Sequence, residues 1–214
     1  MKIGKRYGRI AALGAAAALL AGCGGADEPA GKALNGKQVQ AVLPDETALP
    51  GWKVGRRDEA EPLPRVSRAQ LCGSPDDKKT ACDGLRFYSQ GHYTSPDERY
   101  SVIVSVFAAE DTDGAQPAYD FLWKRVLDSA AKPQKIDSGV LGDEHDAFRT
   151  DYGRTGGPAA QIQVRVGATV LQITGEAGPD DELDADAIVD LASVVTERAE
   201  QAGRGSTPSA ALGD

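Results

Sequence analysis

The chain has 214 residues, 41 % of them hydrophobic, and it carries 24 Lys and Arg against 32 Asp and Glu, a formal charge of −8. That length suits one domain of ordinary size with a core of its own, and the acidic balance disfavours polyanionic partners, nucleic acid above all. With three cysteines and two histidines, there is little material for metal or nucleophilic chemistry.

The first residues differ from the rest. Lys2, Lys5, Arg6 and Arg9 precede an uncharged run of eleven residues, 10–20, which gives way to Gly24, Gly25, Ala26 and Asp27. This is the layout of a secretory signal, and the run falls well short of the ~20 apolar residues that a membrane-spanning helix needs. Basic residues ahead of the apolar run stay with the cytoplasmic leaflet, so everything downstream crosses. The segment ends in Leu20-Ala21-Gly22-Cys23, which resembles the lipobox of bacterial lipoproteins. The resemblance implies cleavage before Cys23, loss of residues 1–22, and a diacylglycerol with acyl chains such as palmitate on the Cys23 thiol. The protein is then held on the outer face of the cytoplasmic membrane, where two chains give stable attachment at about 0.8 kcal/mol per buried methylene. Removing residues 1–22 takes away four basic and no acidic side chains, so the charge of the remainder is −12.

Residues 23–33 are Gly, Ala, Asp, Glu, Pro and Lys after the cysteine, without apolar periodicity, and read as a flexible tether. The single domain is expected over 34–201. Residues 202–214, rich in Gly, Ser, Thr, Pro and Ala, are expected to be a disordered tail. With Cys23 lipidated, Cys72 and Cys82 are the two thiols left in an oxidising compartment, and they are expected to pair across the nine residues between them. Two cysteines without a nearby His or further Cys do not make a four-ligand zinc set.

Within the domain, Asn35 can cap a short helix carrying Val39, Val42 and Leu43, with Gln38 in the capping-box position and Pro44 as its stop. A strand follows near 52–56, and Ser67 is placed to cap a turn of helix leading to Cys72. Two β-like runs, 85–93 and 100–108, flank a polar connection and predict a hairpin. In the second, Val102, Val104 and Val106 share the core face and Ser101, Ile103 and Ser105 the other. Tyr119, Leu122, Trp123, Val126 and Ala130 lie on one stripe of a helix over 113–130, in which Pro117 is tolerable only near the start. A less regular strand region covers 141–152. Strict alternation over 161–166 faces Ile162, Val164 and Val166 inward and Gln161, Gln163 and Arg165 outward; Gly167-Ala168 then turns the chain into a partner strand over 169–174. Ile188, Leu191, Ala192, Val195 and Ala199 form the stripe of a last helix over 183–199. The expectation is an α+β fold, an antiparallel sheet covered on one face by two amphipathic helices.

Chemistry-bearing residues are sparse. The run Gly142-Asp143-Glu144-His145-Asp146 is the densest set of potential metal ligands, but consecutive strand residues point to opposite faces, and the expected reading is a solvated strand start with no metal. The acidic residues at 180–186 lack calcium-loop spacing and suit a helix start. His92, near Phe87, Tyr88 and Tyr93, either lines a ligand pocket or is a strand histidine with a satisfied hydrogen bond. No G-x-S-x-G, S-x-x-K or H-E-x-x-H motif occurs; no catalytic, cofactor-binding or metal-binding residue is named, and the chain is not expected to be an enzyme.

Leu43-Pro44-Asp45, Leu49-Pro50-Gly51-Trp52, the cysteine pair and Val164-Arg165-Val166-Gly167, together with the lipobox, resemble small secreted lipoproteins of actinobacteria. Some of these are similar to the extracellular sensor domains of membrane Ser/Thr kinases from the same bacteria. Such sensor domains carry two disulfides, whereas this chain has cysteines for one once Cys23 is lipidated. The expected function is that of a membrane-anchored, extracytoplasmic module binding or sensing an unidentified envelope ligand. A structural or assembly factor contacting another envelope protein is the alternative, and an unrecognised hydrolase the third. A pocket lined by Trp52, Tyr93 or Tyr100 favours the small ligand, and an exposed apolar patch favours the protein partner.

Overall fold

The computed structural model describes residues 32–73 and 80–213; Cys23, the signal segment and most of the tether lie outside the described residues. Eight strands and four helices follow in the order α1 (Gly36–Val42), β1 (Lys53–Arg57), β2 (Glu61–Pro62), α2 (Arg65–Cys72), β3 (Leu85–Thr94), β4 (Tyr100–Ala109), α3 (Thr112–Ser129), β5 (Gln134–Lys135), β6 (Glu144–Thr150), β7 (Ala159–Val166), β8 (Thr169–Ala177) and α4 (Ala185–Gly203). All strands join one antiparallel sheet in the order β1-β3-β4-β8-β7-β6-β5, with the short β2 also paired to β3. The fold is α+β.

Local chemistry sets most of these boundaries. Asn35 and Gln38 form the reciprocal capping box that starts α1. Asp111 caps α3 by accepting from Gly114 N at 2.7 Å, and Asp184 caps α4 by accepting from Ala187 N at 3.1 Å. Gly167, at φ +54°, opens the β7–β8 turn. Ser67 lies inside α2 rather than at its cap, which falls on Pro64; proline is suited to a helix start, having no N–H to satisfy there.

The two long helices do not share a face. Helix α4 buries Ile188, Leu191, Ala192 and Val195 with α1 against Val102, Val104 and Val106 of β4, Ile162 and Val164 of β7, and Leu171 and Ile173 of β8. Helix α3 packs on the opposite side, where Ala118, Tyr119 and Leu122 meet Phe107 and Val170 beside the Cys72–Cys82 disulfide. The sheet is therefore covered on both faces, not on one as the valine alternation suggested. Phe107 and Val170 supply the physical reason: they give the second face of the two central strands an apolar patch that α3 must cover.

Residues 202–214 were expected to be a disordered tail, and the structure corrects this for 202–213. Helix α4 runs through Ala202, Leu212 N donates to Ala48 O at 2.8 Å, and Gln201 Oε1 accepts from Ser209 N and Ala210 N. The clasp centres on Arg198, 6 % exposed, which donates to the carbonyls of Val42 (3.1 Å), Ala41 (3.0 Å) and Ala210 (3.1 Å). Arg57 reaches the Leu43 carbonyl and the Tyr93 hydroxyl the Pro44 carbonyl. Four consecutive carbonyls at the end of α1 are thus satisfied by side chains from elsewhere, as a helix end inside the protein requires. Burial lowers the Arg198 pKa, opposed by the nearby Asp45 carboxylate, and the guanidinium stays charged.

Cys72 and Cys82 are joined in a disulfide with Cα atoms 5.5 Å apart, within the spacing such a bond needs. Trp52, Tyr93 and Tyr100, considered above as pocket-lining groups, are core residues, 8 %, 1 % and 5 % exposed, with Trp52 and Tyr100 packed edge to face at 5.9 Å.

Three outcomes follow from this packing. Arg198→Met removes three hydrogen bonds from buried carbonyls, each costing about 1–3 kcal/mol when left unmade; urea denaturation should show a loss of about 2–4 kcal/mol, with faster amide exchange at Leu212. Reduction of Cys72–Cys82 should lower stability by up to roughly 3 kcal/mol in the chain-entropy model, read as a lower melting temperature in reductant. Burial raises the pKa values of Tyr93 and Tyr119 and pushes Tyr100 up to about 12. A raised acid pKa means that the folded state holds its proton where the unfolded state has lost it, so stability falls as pH rises above about 10, the ordinary tyrosine value. Tyrosinate absorbance should therefore appear together with unfolding above that pH, and a titration that is complete before unfolding would contradict the burial.

Candidate functional site

Strand register places the α3-side residues in transverse rows. One runs Tyr88, Phe107, Val170, Arg165, Glu144; the next runs Gln90, Ser105, Gln172, Gln163, Asp146; a third runs His92, Ile103, Thr174, Gln161, Phe148. Helix α3 crosses these rows obliquely. Its start packs near Gly84, where a Cβ would collide with the Gly114 backbone. Its middle meets the second row through Tyr119, whose carbonyl accepts from Gln163 Nε2 at 2.8 Å and whose hydroxyl donates to Asp146 Oδ2 at 3.0 Å. Farther on, Trp123 stacks on Phe148 with ring centres 5.5 Å apart. The corner of the sheet beyond the helix is left uncovered.

That corner is the floor of a cleft of about 630 Å³, inside the range of about 300–1,000 Å³ typical of small-molecule sites. Gln90, Ser105, Gln161 and Thr174 form the polar floor with Ile103; Arg125 and Val126 of α3 form one wall, and Tyr152, Gly153 and Arg154 of the β6–β7 loop the other. The loop is held in place by local bonds. Gly153 N donates to Gly157 O at 2.6 Å, and Thr155 Oγ1 donates to Ala177 O at 2.7 Å. At Gly157 a Cβ would run into the carbonyls of Gly178 and Ala177, so only glycine allows this approach to the end of β8.

The floor is ordered by its own side chains. Gln90 Nε2 donates to Ser105 Oγ at 3.1 Å and Gln90 Oε1 meets His92 Nε2 at 3.2 Å. Thr174 Oγ1 donates to Gln161 Oε1 at 2.6 Å, and Gln172 Nε2 donates to Gln163 Oε1 at 2.8 Å. On the walls Arg154 is paired with Glu176 at 3.3 Å, and Arg125 donates to the Leu71 carbonyl at 2.6 Å. The arrangement presents oriented neutral donors and acceptors, and this suits recognition rather than proton transfer.

The residues singled out from sequence go elsewhere. Of the run at 142–146, Glu144 accepts from Gln116 Nε2 at 2.9 Å, Asp146 from Tyr119, and Asp143 from Gly167 N at 2.6 Å, while His145 Nδ1 lies 3.2 Å from the Leu141 carbonyl. Alternation sends His145 away from Glu144 and Asp146, and these groups brace α3 and the β7–β8 turn; no grouping of metal-ligating side chains occurs among the described residues. His92 stands at the edge of the cleft floor, paired with Gln90. Sequence reasoning missed the floor itself. Its signal was present: outward positions of neighbouring strands carry Gln, Ser and Thr, where a fully solvated face more often carries charge.

No family model and no curated protein matches this sequence. Among solved structures, the chain is similar to the extracellular domain of PknH from Mycobacterium tuberculosis, at 11 % identity and TM-score 0.49, over 82 % of this chain and 99 % of that one. It is also similar to an uncharacterised protein, the Rv0999 ortholog, from Mycobacterium smegmatis, at 10 % identity and TM-score 0.40, over 76 % of this chain and 96 % of that one.

Proposed function

We propose that this protein is an extracytoplasmic lipoprotein, anchored by a lipid on Cys23, whose α+β domain binds or senses a ligand in the cleft between α3, the β6–β7 loop and the open corner of the sheet. The observation that carries the reading is the cleft floor: neutral hydrogen-bonding side chains, fixed in orientation by one another and set in a concave surface of suitable volume. The disulfide is in keeping with an oxidising compartment. Among the described residues no helix is long and apolar enough to cross a membrane, and the proposed attachment rests on the lipobox resemblance at Cys23. Exposed large hydrophobics among the described residues are Leu127, Val140 and Tyr152; they stand on separate elements and do not form the broad patch that an obligate protein partner favours.

Two measurements test the two halves of this reading. Cys23→Ala should shift the protein from the detergent to the aqueous phase on phase separation, and unchanged partitioning would remove the anchor. A thermal-shift screen of the full-length chain against envelope metabolites and cell-wall fragments should find a stabilising ligand, since about 100 times the dissociation constant adds about 2.7 kcal/mol to stability. A screen that stabilises the protein only through compounds whose effect survives Tyr152→Ala and Gln161→Leu alike would move the site out of the cleft.

A further inference from the structure

Resting on the reading of the cleft as a ligand site, we infer that its ligand is a glycan, a short oligosaccharide held by side-chain amides on the floor and by an aromatic ring at the rim. The amides carry the inference. Gln161 is 5 % exposed and lines the cleft, yet only its Oε1 is engaged, by the Thr174 hydroxyl; Nε2 makes no hydrogen bond among the described residues. Turning the amide over changes which atom Thr174 meets but still leaves one amide group open toward the cleft. Gln90, the other amide that lines the cleft, is fixed in orientation by Ser105 and His92. The Gln161 amide therefore offers an open donor or acceptor to the cleft beside the Ser105 and Thr174 hydroxyls, and a ligand that both donates and accepts at closely spaced positions satisfies such a floor. Sugar hydroxyls have that character, and a planar amide offers one donor and one acceptor side by side.

The surroundings exclude other chemistries. A phosphate or carboxylate ligand calls for several converging cations, whereas of the two arginines that line the cleft Arg154 is paired with Glu176 and Arg125 stands on the α3 wall with one donor on the Leu71 carbonyl. A metal ion calls for several carboxylates, and Glu176 is the one that lines the cleft. An acyl chain calls for an apolar channel, whereas here amides and hydroxyls occupy the floor. An extended peptide adds to a sheet edge through backbone bonds, and the floor lies on inner strands β3, β4, β7 and β8, each with a neighbour on both sides. Tyr152 completes the sugar site. It is 63 % exposed at the rim, where its ring is free to lie against the apolar C–H face of a pyranose.

The test is calorimetric titration of the full-length chain, in a detergent without a sugar headgroup, with chitotetraose, maltohexaose and mannotriose, and with inorganic phosphate and oleate for comparison. At least one saccharide should bind with a Kd of about 1 mM or tighter, and Gln161→Leu and Tyr152→Ala should each weaken it about tenfold or more. Tyr152 is exposed, so its variant should keep the wild-type melting temperature and report on binding even if Gln161→Leu lowers stability. Saccharide binding that survives both substitutions overturns the inference, because the sugar then sits elsewhere. Phosphate or oleate binding without any saccharide binding also overturns it and leaves the cleft a ligand site of another class. If none of the five probes binds, the glycan class fails, and the thermal-shift screen decides separately whether the binding-module reading fails with it.

Discussion

Side chains on a β-strand alternate between two faces, and here that alternation runs in register across five neighbouring strands, so the residues of each face line up in rows across the sheet. One face is a continuous apolar surface from Trp52 and Tyr93 through Val102, Val104, Leu171 and Ile162, and it requires the cover that α1 and α4 give. The other changes character along the strands, from Phe107 and Val170 under α3 to Ser105, Gln172, Thr174 and Gln161 beyond it. A helix is stabilised only over the apolar part. The point at which α3 leaves the sheet is therefore set by the same residues that make the uncovered corner polar, and the cleft is the consequence.

The two helices divide the sheet unequally for a related reason. Helix α4 buries residues along most of its length, including Thr196 and Arg198 toward its end, because α1 and the C-terminal strap close over it. Helix α3 has its buried residues in the first two-thirds, at Ala115, Ala118, Tyr119 and Leu122. Past Leu122 its apolar side chains are half-buried or exposed, and one of them, Val126, becomes the wall of the cleft. Pro117 falls within the buried part and not at the start, at the cost of one backbone hydrogen bond; the Asp111 cap and the Tyr119–Asp146 bond hold the helix on either side of it.

Elements with a strong period were legible before the structure. The β3–β4 and β7–β8 hairpins, both long helices, the capping box of α1 and the cysteine pairing all rest on local signals, and each lies where those signals put it. What was not legible depends on partners distant in sequence. Alternation in β4 identifies a core face but says nothing of which helix covers it, and Phe107 as a lone aromatic on the other face was a weak hint of a second layer. The strap over 206–213 has a composition associated with disorder, and its order comes from Arg198 and Gln201, which meet Ala210 only after α4 is in place. Likewise the candidate site is assembled from Gln90, Ser105, Gln161 and Thr174, spread over four strands and joined only by register. The dense cluster at 142–146, by contrast, is adjacent in sequence, and in a strand adjacency separates residues instead of gathering them.

The position of the cleft bears on the proposed anchor. Lys32, the first described residue, leads directly into α1, and α1 lies with α4 on the face opposite the cleft. Nine residue steps separate Cys23 from Lys32, a reach of at most about 32 Å when fully extended, comparable to the thickness of the domain that a sheet and two helix layers make. The proposed anchor thus joins the described domain through α1, on the face behind the cleft. The charge of −12 left after removal of residues 1–22 adds repulsion from an anionic leaflet. Both effects act against the cleft lying on the bilayer, and they favour a domain whose polar corner stays open to molecules of the surrounding envelope.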